Sequence, residues 1–124
     1  MSKTILIVDD SATMTMSVKS SLELNGFKVT TAADGVIALD ILKTGFKPDL
    51  IITDINMPRM GGLELIKEAK MLPALRFVPI LTLTTESDPA KREQGKKLGA
   101  TGWLVKPVSG PDLLKVIKQV LPGT

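Results

Sequence analysis

The sequence predicts an α/β fold: a (βα)₅, doubly wound arrangement in which a five-stranded parallel sheet carries helices on both faces. Three observations predict it. Short runs rich in Ile, Leu and Val recur five times along the 124 residues. A stretch with helical spacing of apolar residues follows each run. Capping and stop residues stand at the ends of those stretches, and the regular alternation of the two element types is the pattern of a parallel sheet.

The strand-like runs fall at 4–9 (TILIVD), 27–31 (FKVTT), 49–54 (DLIITD), 78–84 (VPILTLT) and 102–106 (GWLVK). The first helix, over 12–25, places Met14, Val18 and Leu22 on one stripe and stops at Asn25-Gly26. The second, over 34–44, starts at Asp34, ends at Gly45 and turns Ala38, Leu39 and Leu42 inward. The third, over 62–71, carries Leu63, Ile66 and Ala69 on its inner face and meets Pro73. The fourth, over 88–98, opens with Asp88-Pro89, an N-cap with proline at the first helical position, and closes before Gly99. The fifth, over 111–121, follows Ser109 to Asp112 and buries Leu114, Ile117 and Leu121. Right-handed crossovers join the strands. One domain over 1–124 is expected, since the chain suits a single core and ends about three residues after the fifth helix.

Composition excludes several classes of function. Aromatics make up 3% of the chain, which leaves little to stack on nucleic-acid bases. Cysteine and histidine are both absent. There is accordingly no disulfide framework, no thiolate nucleophile, no Cys or His metal ligand and no histidine base. The first apolar run stops at Asp9, too short for a signal-peptide core or a membrane span, so a cytoplasmic protein is expected. The net charge is +3, and its distribution says more than its size. Residues 1–61 hold six Lys/Arg against seven Asp/Glu, whereas 62–124 hold ten against six. An acidic or amphipathic protein partner fits this asymmetry better than nucleic acid does.

In an open parallel sheet, ligands bind beyond the carboxyl ends of the strands, where strand order reverses. Polar residues leave the apolar runs at that edge: Asp9 and Asp10 after the first strand, Asp54 after the third, Thr84 after the fourth and Lys106 after the fifth. Any one of these could merely terminate a strand, or, for Asp9 and Asp10, cap the first helix. Their convergence on one edge is harder to explain that way. Three crowded carboxylates repel, so either some take up protons or a cation sits among them. A hard divalent ion such as Mg²⁺ suits a site built of oxygen donors. With the acids neutralised, one carboxylate can attack phosphorus to form an aspartyl phosphate, with Lys106 as a point charge and Thr84 as a hydroxyl donor to the phosphoryl oxygens.

The segments VDD, DINMP, LTT and VKP, in this order and spacing, resemble the receiver domain of bacterial two-component response regulators, most of all stand-alone chemotaxis regulators of the CheY type. The likeness covers essentially the whole chain. It implies a flavodoxin-like sheet of strand order 2-1-3-4-5 and phosphorylation of Asp54 by a histidine kinase of the CheA kind. It implies Mg²⁺, with Mn²⁺ as a substitute, held by Asp10, Asp54, the Asn56 backbone carbonyl and, through water, Asp9. Thr84 and Trp103 fall at the family's two switch positions, and Lys106 at that of the phosphate-pairing lysine. The Lys106-Pro107 bond is expected to be cis, and Met57, Thr85, Glu86 and Pro107 to modulate the site.

The resemblance also implies an output. A target, such as a flagellar switch protein, would bind the surface formed by the fourth helix, fifth strand and fifth helix, where Lys91, Arg92, Trp103, Lys115 and Lys118 fall. A phosphatase would end the signal. The chain would be a monomeric switch that assists its own phosphorylation and dephosphorylation, not a metabolic enzyme. Two alternatives stay open: a phosphorelay carrier or receiver part of a larger regulator, and a metal-dependent phosphatase using Asp-x-Asn on small phosphoesters. The second lacks the general acid and cap domain such an enzyme needs. Some positions depart from the family pattern. Thr15 replaces a usual basic residue, Ile37 a usual acid, Thr85 a usual small residue, and Trp103 the usual tyrosine or phenylalanine. Ile37 and Ile41 would form an exposed i,i+4 stripe.

Overall fold

The computed structural model describes residues 3–121. Its elements run β1 (Thr4–Val8), α1 (Ala12–Leu24), β2 (Lys28–Ala32), α2 (Gly35–Lys43), β3 (Leu50–Thr53), α3 (Gly62–Lys70), a 3₁₀ turn (Pro73–Leu75), β4 (Ile80–Thr84), α4 (Pro89–Leu98), β5 (Gly102–Val105) and α5 (Gly110–Val120). All strand pairs are parallel, in the order β2-β1-β3-β4-β5. The chain therefore winds one way from β1 to β2 and the other way from β1 through β3, and the order reverses between β1 and β3.

Burial follows from that topology. The central strands β3 and β4 are buried at every residue, and β1 at all but Thr4. The edge strands β2 and β5 are half-exposed, as expected when only one side of a strand is paired. Alternate residues of the central strands feed two cores. Leu6, Val8, Ile51 and Ile80 pack with Ala38, Leu39 and Leu42 of α2 and Leu65, Ile66 and Ala69 of α3. Ile5, Ile7, Leu50, Ile52, Leu81 and Leu83 pack with Val18 and Leu22 of α1 and Leu113 and Ile117 of α5.

The structure corrects four expectations. In α3 it is Leu65, 1% exposed, that enters the core, while Leu63 is only half-buried. In α5 Leu113 takes the place expected of Leu114. Both helices offer two candidate leucines, and the one chosen stands four residues before a second core residue, where helical side chains meet across one turn. Third, neither Asp9 nor Asp10 caps α1. Ser11 does, accepting the Met14 N–H at 3.3 Å, and Asp9 instead holds the Ser11 N–H at 2.9 Å. The stripe expected of Ile37 and Ile41 is partial as well: Ile37 is exposed, but Ile41 packs against the core.

The burial difference in α3 is measurable. Leu65→Ala should cost about 3 kcal/mol of unfolding free energy, as buried leucine truncations do, and Leu63→Ala less than half as much. Urea denaturation of both variants checks this, and equal losses would contradict the assigned inner face.

Candidate functional site

The reversal point between β1 and β3 brings two acids side by side. Val8 pairs with Thr53 in the sheet register, so the next residues, Asp9 and Asp54, leave adjacent strands together. Asp9 N–H bonds to Ala32 O and Asp54 N–H to Val8 O, which extends the ladder one step past the strands. Asp9 and Asp54 are buried, whereas Asp10 is exposed. One carboxylate oxygen from each of Asp9, Asp10 and Asp54 lies within 4.8 Å of the others.

Lys106 reaches this group from the far side of the sheet. Its N–H bonds to Thr84 O, and its Nζ lies 2.8 Å from Asp9 Oδ2 and 3.3 Å from Asp54 Oδ2. The lysine side chain is 12% exposed, and burial alone would lower its pKa. The Asp9 hydrogen bond and the charges of Asp54 and Asp9 outweigh that, so the net shift is upward and the ammonium stays charged. Asp54 is also oriented by its own neighbour, since Ile55 N–H donates to its Oδ1 at 2.6 Å.

The donor set suits a hard divalent cation. All three donors are carboxylate oxygens, the ligand type such an ion takes, and they lie within 4.8 Å of one another. The exposed Asp10 gives the cluster an open side, which suits an ion that keeps several waters.

The β3–α3 loop returns the chain tightly to the same place. Gly62 N–H bonds to Ile55 O at 2.9 Å, and a Cβ at Gly62 would overlap Asp54 O and stand 2.9 Å from Ile55 Cα. Only a glycine admits that approach of α3 to the acid's backbone. Asn56 is exposed on this loop, and Met57 packs its side chain against the α2–α3 core.

A model of the response regulator receiver domain matches residues 5–118. The chain belongs to that family. It is 36% identical to response regulator MprA of Mycobacterium bovis over 124 residues, and there it spans only 53% of the relative's length. Against chemotaxis protein CheY1 of Helicobacter pylori it is 36% identical, covering 97% of each chain. Among solved structures, chemotaxis response regulator CheY4 of Vibrio cholerae matches with a TM-score of 0.92 and 45% identity, over 98% of this chain and 100% of that one. The Mn²⁺-bound form of response regulator Rcp1 matches at 0.80 and 27%, over 95% and 91%. Receiver domains are phosphoacceptor switches, generally not enzymes, and they bind Mg²⁺ through an Asp cluster.

The other expected positions of this receiver gather around the β4–α4 loop. Thr84 is fully buried, and its Oγ1 accepts the Glu86 N–H at 3.1 Å. Thr85 points to solvent, as does Pro107, whose bond to Lys106 is cis. Glu86 is the centre of the loop. Its carboxylate accepts from Lys91 Nζ at 2.9 Å and from Asp88 N–H, and its backbone oxygen accepts from Trp103 Nε1 at 3.0 Å. The Lys91 bond first, then the Asp88 N–H, hold the Glu86 carboxyl below its usual range, with a smaller contribution from Asn56. Trp103 thus lies inward, half-buried, rather than free on the surface.

Two contributors went unnoticed in the sequence. Gly95 is buried beneath Trp103, and a Cβ there would stand 2.9 Å from the ring's Cζ3. A glycine inside the otherwise polar α4 was the available signal. Arg59 has φ of 64° and pairs its Nε with Asp34 Oδ2 at 2.9 Å, and nothing in its sequence context announced that. Thr15, singled out for its departure, donates its hydroxyl to Asp9 O at 3.3 Å.

Gly→Ala inside a helix ordinarily stabilises by roughly 0.5–1 kcal/mol. Gly95→Ala should lose that gain and red-shift Trp103 emission, because the ring must leave its seat. A blue or unchanged spectrum together with the full helical gain would show that the glycine does not seat the indole.

Proposed function

We propose that this chain is a phosphorylation-activated signalling switch that accepts a phosphoryl group on Asp54 from a histidine kinase, with Mg²⁺, and then binds a target protein. The observation that carries this reading is the bridge from Lys106 to both Asp9 and Asp54 beside the exposed Asp10. Mg²⁺, or Mn²⁺ in its place, would be held by Asp10, Asp54, the Asn56 carbonyl and, through water, Asp9. When bound, the ion supplies positive charge that offsets repulsion between the acids and the incoming phosphoryl group.

The chain's own residues do the rest. An Asp54 carboxylate oxygen bonds to phosphorus as the phosphorus–nitrogen bond of the donor phosphohistidine breaks, and the leaving imidazole takes a proton from solvent. Ile55 N–H fixes the carboxylate's orientation, and Lys106 is placed to meet the new negative charge. Thr84 turns its hydroxyl hydrogen toward the phosphoryl oxygens while its oxygen still accepts from Glu86 N–H. A movement of Thr84 therefore pulls on Glu86, and through Glu86 O on Trp103. The result is a shift between two populations of the β4–α4 loop and α4.

The target face is formed by α4, β5 and α5. Arg92, Lys96, Lys97, Lys115 and Lys118 are exposed there, and a groove of about 520 Å³ runs beside Trp103. An acidic or amphipathic segment fits it, as in a flagellar switch protein. The likeness to chemotaxis proteins CheY1 and CheY4 supports a role in chemotaxis, with a CheA-like kinase and a phosphatase as partners. Coverage of about half of MprA supports a second reading, the receiver part of a larger regulator. A phosphorelay carrier would use the same acids.

Intact mass after incubation with a small phosphodonor tests the chemistry. A single phosphoryl adduct should form only with Mg²⁺ and vanish in Asp54→Asn; a folded protein that forms no adduct would refute the switch. For the target face, Arg92→Glu with Lys96→Glu should weaken binding of an acidic target segment by at least ten-fold at low salt. Lys91 is a poorer site for that test because it is committed to Glu86. Unchanged affinity in the double variant would place the partner elsewhere.

A further inference from the structure

The loop from Asp54 to α3 is fastened to a helix that holds none of the acids. Asp34 caps α2 with one oxygen, Oδ1, which accepts the Ile37 N–H at 3.0 Å. Its other oxygen, Oδ2, accepts from Arg59 Nε at 2.9 Å. The Asp34 side chain is 6% exposed and that of Arg59 56%, so the arginine reaches inward from the surface to a buried acid. One residue on, Gly35 N–H bonds to Met60 O at 3.1 Å, and a Cβ on Gly35 would strike Met60 at 2.7 Å. The first turn of α2 therefore grips Arg59 and Met60 together.

Arg59 is the only described residue other than glycine with a positive φ, at 64°. Arginine has no intrinsic preference for that backbone, which glycine, asparagine and aspartate adopt most readily. Its guanidinium is what the position gains, and the ion pair holds the backbone in the left-handed turn. Asn56 lies three residues earlier, on the same short loop between Ile55 O, tied to Gly62, and the Arg59 anchor.

We infer that Arg59 is a positioning residue for the divalent-cation site: through Asp34 it fixes the loop that carries Asn56, whose carbonyl the metal reading counts among the ligands. The inference rests on the metal reading given above. It has a distinctive sign. Arg59 carries positive charge on the loop that follows Asp54, so by electrostatics alone its removal would tighten metal binding. As a positioning residue, its removal must loosen it, and partners that orient metal ligands typically change affinity ten-fold or more.

Mn²⁺ binding to the full chain, followed by the loss of the free ion's electron paramagnetic resonance signal, separates these. The variants are Arg59→Asn, which tolerates the left-handed turn, Arg59→Lys, which keeps the charge, and Asp10→Asn as a control on the acids. Arg59→Asn should bind Mn²⁺ about ten-fold more weakly, Arg59→Lys should recover most of the loss, and the Gly35 amide should exchange faster in Arg59→Asn. Adding Asp34→Asn to Arg59→Asn should cause little further loss, because both changes break one pair. Binding by Arg59→Asn as tight as or tighter than the unaltered chain, with Asp10→Asn weakened, overturns the positioning role and leaves the metal site standing. No saturable binding by the unaltered chain overturns the metal reading and this inference with it.

Discussion

Repulsion among three carboxylates at one edge of a parallel sheet is the constraint on which the rest of this structure depends. Asp9 and Asp54 are buried, and burial of unpaired charge is costly. Lys106 answers it by placing one ammonium between them from just past the fifth strand, ninety-seven positions after Asp9. That contact requires the whole topology. β1 and β3 must be neighbours, β4 must stand between β3 and β5, and all strands must point the same way. A site of this kind cannot form from any local segment, so the chemistry and the fold are specified together.

The same constraint explains why the loops are so closely tied. A cluster of like charges tolerates little play, because small displacements change both repulsion and pairing. Glycine at position 62 lets α3 begin against the backbone of Asp54. Ser11 starts α1 immediately after the acids, with Asp9 holding its N–H. Asp34 serves its helix with one oxygen and the β3–α3 loop with the other. In the β4–α4 loop Glu86 joins Thr84, Lys91 and Trp103. Asp34 and Glu86 each tie together two elements, while Gly62 and Ser11 close local structure directly against Asp54 and Asp9.

Much of this was legible in the sequence because it depends on strand ends. Five apolar runs, each closed by a polar residue or a turn, establish the alternation of elements, and the sheet rule then gathers Asp9, Asp10, Asp54, Thr84 and Lys106 on one edge. The strand order came from resemblance, since the apolar runs do not say which strand lies beside which. Less legible were choices that depend on the angle of a helix against its sheet. Leu63 and Leu65, or Leu113 and Leu114, are equivalent by composition, and only packing distinguishes them. Least legible were contacts between distant loops. Arg59 with Asp34 joins residues 25 positions apart, and the fit of Trp103 over Gly95 joins a strand to a helix. Neither leaves a periodic trace.

The short edge strand β5 gives the molecule a division of labour. Lys106, at the acids, follows Trp103, beside the basic groove, by three residues, about 10 Å of extended chain. The lysine that meets the acids thus stands just past the end of β5 and the tryptophan beside the groove within it, with different elements around each. If the proposed target face is right, substitutions in α4 or at Trp103 would alter recognition while leaving the carboxylates and their lysine intact. On that reading, the arrangement would let a lineage of such chains acquire new listeners without relearning how to be addressed.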